Sequence, residues 1–86
     1  MSWEKSINEF KSFLKIERSL SENSVSAYLS DINKLRLHAE HLGKSDIQVT
    51  KNDIMDFIND MCNEGLKPRT QSRVISAIKS FYKFLI

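Results

Sequence analysis

Apolar residues recur every third or fourth position in four blocks of this chain, and its two glycines and single proline all fall between those blocks. That spacing matches the turn of an α-helix, and no stretch alternates with the two-residue period of a strand. Trp3, Ile7, Phe10 and Leu14 form the first stripe, widened by Phe13. Val25, Tyr28, Leu29, Ile32, Leu35 and Ala39 line one face of the second block. Ile54, Phe57, Ile58, Met61 and Cys62 form the third stripe, and Val74, Ile75, Ile78, Phe81, Tyr82 and Leu85 the fourth. Start and stop signals agree. Ser2 and Ser21 can each accept an unpaired first-turn N–H, and Thr50 with Asp53 three residues later forms a capping-box pattern. Pro68 suits a first helical turn, while Gly43 and Gly65 suit helix ends. The fold class expected is all-α, a compact bundle of four helices with short loops forming one domain over residues 1–86.

Composition narrows what such a bundle can do. Hydrophobic residues make up 41% of the chain, enough for a helical core. No apolar run approaches the roughly 20 residues that cross a bilayer, so no membrane association is expected. The opening MSWEKSINEF carries acids and lacks the apolar centre of a signal peptide. Cys62 stands alone, which rules out an internal disulfide and suits a reducing cytoplasm. Its place on the third stripe reads as an inert core thiol, and Trp3 and the methionines read as packing. His38 and His41 could share a metal by spacing, yet no Cys or carboxylate cluster completes a set, so both read as solvated. There is no phosphate-cradling glycine loop, no nucleophile with its base and no paired-carboxylate site. The sequence therefore implies no catalysis, no cofactor and no metal.

Charge is sorted along the chain. The total is only +2, but Asp46–Glu64 holds five carboxylates against the single cation Lys51. The closing LKPRTQSRVISAIKSFYKFLI holds five cations and no carboxylate. A basic face on a nearly neutral domain is the electrostatic footprint of a polyanion binder, or else a solvated helix surface. Stepping 100° per residue from Ile78 puts Arg69, Ser72, Arg73, Ser76, Lys79, Ser80 and Lys83 on the outer half of the fourth helix. Long cations there can reach phosphate oxygens, and short hydroxyls let a nucleic-acid groove approach. Lys67, Arg69 and Arg73 also crowd the helix start, where the macrodipole disfavours cations unless an anion is bound. On the second helix the outward set is Asn23, Ser26, Ala27, Ser30 and Lys34, small and nearly uncharged.

Two stretches resemble a known family. LSENSVSAYLSDINKL is similar to the L-x-x-x-T-x-x-x-Y-x-x-D-L signature of the N-terminal core-binding domain of tyrosine recombinases, phage-integrase and Xer-like. KPRTQSRVISAIKSFYKFL resembles the last helix of that domain, P-x-T-x-x-R-x-[LI]-S-A-[LI]-R-x-F-[YF]-x-[FY]-L. Ser24 stands at the motif's Thr, with Tyr28 and Asp31 at its Tyr and Asp. Thr70 and Arg73 occupy the Thr and Arg of the last helix, and Lys79 its later basic position. The sequence departs from the pattern at Ser24, at Ile32 for the usual Leu, and at Lys67, where a capping Ser or Thr is common.

The resemblance implies a compact SAM-like helical unit that forms half of a clamp around double-stranded DNA. The second and fourth helices would lie against the major groove and flanking phosphates. It implies a separate catalytic domain carrying the strand-cleaving residues, so that this chain looks like a non-enzymatic fragment and Tyr28 and Tyr82 are not nucleophiles. Partners would be duplex DNA and, in the full-length protein, other protomers of a synaptic tetramer, with the isolated domain monomeric. The DNA-contacting residues expected are Asn23, Ser24, Ser26, Ser30, Lys34, Lys67, Arg69, Thr70, Arg73, Ser76, Lys79 and Lys83. Two alternatives differ in class: a helical protein-interaction module, and a helix-turn-helix regulator using NEGLKPR as its turn.

Overall fold

Three of the four helices begin where a side-chain oxygen can take an otherwise unpaired N–H. A computed structural model describes residues 2–85, with α1 at Trp3–Ile16, α2 at Glu22–His41, α3 at Lys51–Asn63 and α4 at Pro68–Leu85. The Ser2 hydroxyl accepts from the Lys5 amide and the Ser21 hydroxyl from the Ser24 amide. Thr50 and Asp53 satisfy each other's backbone N–H groups in the expected capping box. α4 has Pro68 as its first residue, whose missing N–H removes one unpaired donor. At the ends of α2 and α3 the chain needs a left-handed residue. Gly43 (φ +70°) and Gly65 (φ +89°) supply it, and each closes a paired Schellman arrangement.

α2 is the central element and packs against α1, α3 and α4, most extensively against α4. Phe10, Leu14, Ile32, Leu35, Ala77 and Phe81 have no exposed surface and form the middle of the core. Burying one such Phe or Leu stabilises the fold by about 1.5–3 kcal/mol. Aromatic rings fill the gap between α1 and α4. Phe10 meets Phe81 edge-on at a centroid distance of 5.2 Å, and Trp3 lies parallel to Phe81 at 6.0 Å. The stripes on α1 and α2 face the core as their spacing predicts, with Phe13, Tyr28 and Leu29 half-buried at its margin.

The connection between α2 and α3 is more built than a short polar loop. It contains a 3-10 turn, Asp46–Gln48, fastened from two sides. The Asp46 carboxylate has no exposed surface and accepts from the Ser6 hydroxyl of α1 and from the Ile47 amide. The Asp46 carbonyl accepts from the Tyr82 hydroxyl of α4 at 2.9 Å, and the Trp3 indole donates to the Lys44 carbonyl at 3.2 Å. Burial, with help from the nearby carboxylates of Asp46 and Asp53, raises the Tyr82 phenol above its ordinary value. The ring is therefore a structural donor at any physiological pH.

Three expectations need correction. Cys62 is exposed, not a core thiol, because α3 buries only Phe57 and Met61 fully and Cys62 sits a 100° step beyond Met61. His38 is half-buried, not solvated. Its ring leans on Phe57 with centroids 5.5 Å apart, and its Nε2 is buried with no hydrogen-bond partner. Met61 packs in the core but Met55 is exposed, and Met1 lies outside the described residues.

The Asp53 carboxyl is held at about 2, below its ordinary 3.8, first by the Lys44 ammonium 2.6 Å away and then by the Thr50 amide. A depressed carboxyl stabilises the fold fully above its unfolded value and loses that contribution as pH falls through the folded one. Thermal unfolding followed from pH 5 to pH 2 is expected to show a progressive fall in midpoint between about 4 and 2. In Asp53→Asn that fall is shallower.

Candidate nucleic-acid interface

Most of the expected contact residues are exposed on α2 and α4, the two helices that pack most extensively together. Asn23, Ser26, Ser30 and Lys34 on α2 are exposed. So are Arg69, Ser76, Lys79 and Lys83 on α4, and Lys67 just before it. Ser24 and Thr70 are half-buried, and the Ser24 hydroxyl accepts from the Ser21 hydroxyl in the α2 cap. Among the described residues Lys34, Lys67, Arg69, Lys79 and Lys83 form no ion pair. An unpaired cation on a surface keeps its full field for an incoming anion.

Arg73 behaves differently from the free surface cation its spacing suggested. Its Nε and Nη2 each donate to the Asp31 carboxylate at 2.9 Å, a bidentate pair joining α4 to α2 across 42 residues of sequence. The Asp31 side chain is 0% exposed and that of Arg73 39%. The Asp31 hydrogen bonds also raise the Arg73 guanidinium above its ordinary value, so it is charged at any accessible pH. The reason lies in how α4 is rotated. Its buried residues are Val74, Ala77, Ile78 and Phe81, whose mean direction lies about 50° from Ile78 alone at 100° per residue. Arg73, one turn before Ala77 and two before Phe81, thereby falls on the flank of the buried face. The same rotation leaves Ile75 and Tyr82 half-buried along an apolar groove with Ile54 and Ile58 of α3.

Asp31 is the residue whose environment the sequence reading passed over. A signal existed: Asp31 sits three residues after Tyr28 and four before Leu35, inside an apolar stripe. A lone carboxylate at such a position must find a cation or stay protonated. The acidic segment also presents less charge than its composition implies. Asp46 is buried and Asp53 is paired with Lys44, which leaves Asp56, Asp60 and Glu64 exposed. Asp60 lies 3.8 Å from the His38 Nδ1. Among the described residues no group of three His, Cys, Asp or Glu side chains could hold a metal ion. No helix among them is long and apolar enough to cross a membrane.

Comparison with known proteins identifies a family. The sequence pattern described as "Phage integrase, N-terminal SAM-like domain" matches residues 7–86. The chain is 33% identical over 84 residues to tyrosine recombinase XerD of Chlorobaculum tepidum, covering 98% of this chain and 28% of that protein. It is 36% identical to XerD of Oceanobacillus iheyensis, covering 96% and 29% respectively. With tyrosine recombinase XerC of Bacillus licheniformis the identity is 37% over 79 residues, covering 90% and 26%. The chain thus spans a little over a quarter of the length of these curated relatives. No solved structure matches it significantly.

Removing one member of the Asp31–Arg73 pair leaves the other without its counter-charge. A fully buried pair broken in this way costs about 3–5 kcal/mol, and the partial exposure of Arg73 lowers that to about 2 kcal/mol. Urea unfolding of Arg73→Ala is expected to show a loss of that size. Asp31→Ala combined with Arg73→Ala is expected to lose clearly less than the two single changes added together.

Proposed function

The chain belongs to the phage integrase N-terminal SAM-like domain family, and from that membership we propose that it is the DNA-binding domain of a site-specific tyrosine recombinase. In this reading the outer faces of α2 and α4 lie along double-stranded DNA. One observation carries it: five cations that form no ion pair among the described residues, Lys34, Lys67, Arg69, Lys79 and Lys83, on or beside two packed helices that also expose Asn23, Ser26, Ser30 and Ser76. Phosphates supply the missing counter-charge, and Ser26, Ser30 and Ser76 keep the surface low enough for a groove to approach. Strand cleavage and rejoining belong, on this reading, to a catalytic domain of the whole recombinase, with further protomers and duplex DNA as partners in the cytoplasm. This domain supplies grip and register.

A protein-interaction role has its own support in the apolar groove between α3 and α4, bordered by Lys51 and Lys79. That groove lies on the α3 side of α4, so it competes with the DNA reading only at Lys79. A helix-turn-helix regulator would read DNA with α4 alone. The joint α2–α4 surface favours the clamp.

If these five cations meet phosphates, binding to duplex DNA should weaken with salt at a log–log slope of about −4 to −5. Fluorescence anisotropy of a labelled duplex between about 50 and 200 mM salt measures that slope. A slope near zero, or no duplex binding at low salt, removes the DNA reading and leaves the protein-interaction one.

A further inference from the structure

Arginine carries five N–H donors in a planar fork, and the pair with Asp31 uses only one side of it. Nε and Nη2 face the Asp31 carboxylate. The end of the guanidinium, Nη1 with the second hydrogen of Nη2, makes no hydrogen bond among the described residues. Because Asp31 is immobilised in the core and the two bonds are equal in length, the plane of the guanidinium is fixed relative to both helices. One turn away, Ala27 on α2 and Thr70 and Ser76 on α4 are short, while Tyr28 and Lys34 on α2 and Arg69 on α4 are the long neighbours.

Two physical consequences follow. A guanidinium already neutralised by a carboxylate contributes little to counterion release, so it is a poor phosphate clamp compared with its free neighbours Arg69 and Lys79. A fixed pair of parallel N–H donors matches an edge that offers two coplanar acceptors at the same spacing. In duplex DNA the major-groove edge of guanine, with O6 and N7, offers that arrangement.

We propose that Asp31 is a positioning residue that holds Arg73 end-on as a guanine reader, so that this pair supplies base discrimination while the unpaired cations supply affinity. The proposal rests on the DNA-binding reading and deepens it. Asp31 itself touches no DNA. It acts through the orientation it gives Arg73.

The test uses the 86-residue chain and a pool of duplexes with a randomised centre, from which bound molecules are enriched and sequenced. The enriched duplex is then compared with versions in which each guanine in turn is replaced by adenine. The wild-type chain is expected to enrich a guanine whose replacement weakens binding roughly tenfold or more. Asp31→Asn keeps the shape but frees the charge of Arg73. It is expected to cut that preference below about twofold while steepening the salt slope by about one unit, a change that simple loss of structure does not produce. Arg73→Lys keeps a cation against Asp31 but cannot fork, and it is expected to lose the same preference. Circular dichroism checks folding, and the Arg73 Nε–H resonance reports whether the side chain is held in the free protein. If Asp31→Asn fails to fold, Arg73→Lys decides alone. Folded variants that retain the wild-type guanine preference, or a wild-type chain that binds duplexes but enriches no guanine, overturn the inference and leave the DNA-binding reading standing. A wild-type chain with no salt-dependent duplex binding overturns both.

Discussion

A carboxylate without exposed surface has to find partners inside the protein, and this domain gives Asp31 an arginine from another helix. That requirement sets how α2 and α4 sit together. The two helices make the broadest contact in the fold, and the bidentate pair lies on its outer border, between the hydrophobic core and the solvent. Hydrophobic packing alone tolerates some sliding and rotation of one helix along another. A forked pair with two bonds of 2.9 Å does not, so it fixes the register of the surface that both helices present.

A second buried carboxylate ties elements together through hydrogen bonds, with no ion pair among the described residues. Asp46, also fully buried, ties the 3-10 turn before α3 to α1 through Ser6, while its carbonyl ties the turn to α4 through Tyr82. Two of the motif positions that resemble the recombinase family, the Asp of the second helix and the Arg of the fourth, therefore have a physical explanation. They are two halves of one contact. The buried carboxylates order the helices, and on the proposed reading the cations without an ion pair are left for a polyanion.

What could be read from the sequence was what is local. Caps at Ser2, Ser21 and Thr50, and the left-handed stops at Gly43 and Gly65, depend on residues within one turn, so they were legible. The outward serines and lysines of α2 and α4 were legible for the same reason. Contacts between distant residues were not. Asp31 finds Arg73 across 42 positions and Asp46 finds Ser6 across 40, and no local pattern encodes which partner a buried carboxylate chooses. Centring α4 on Ile78 misjudged its rotation, because Ala77 is small enough to let α2 approach and so pulls the buried face toward itself and Arg73. Cys62 and His38 were misjudged likewise, since the helix wheel of α3 cannot show how little of that helix the core covers.

The central claim is that α2 and α4 act as one rigid DNA-facing surface. Amide chemical-shift mapping during titration with a duplex oligonucleotide addresses it directly. The account requires the changes to form one continuous band from Asn23 to Lys34 and from Lys67 to Lys83, with the exposed side of α3 and the outer side of α1 unaffected. Changes concentrated on α3 or α1, with that band silent, contradict it.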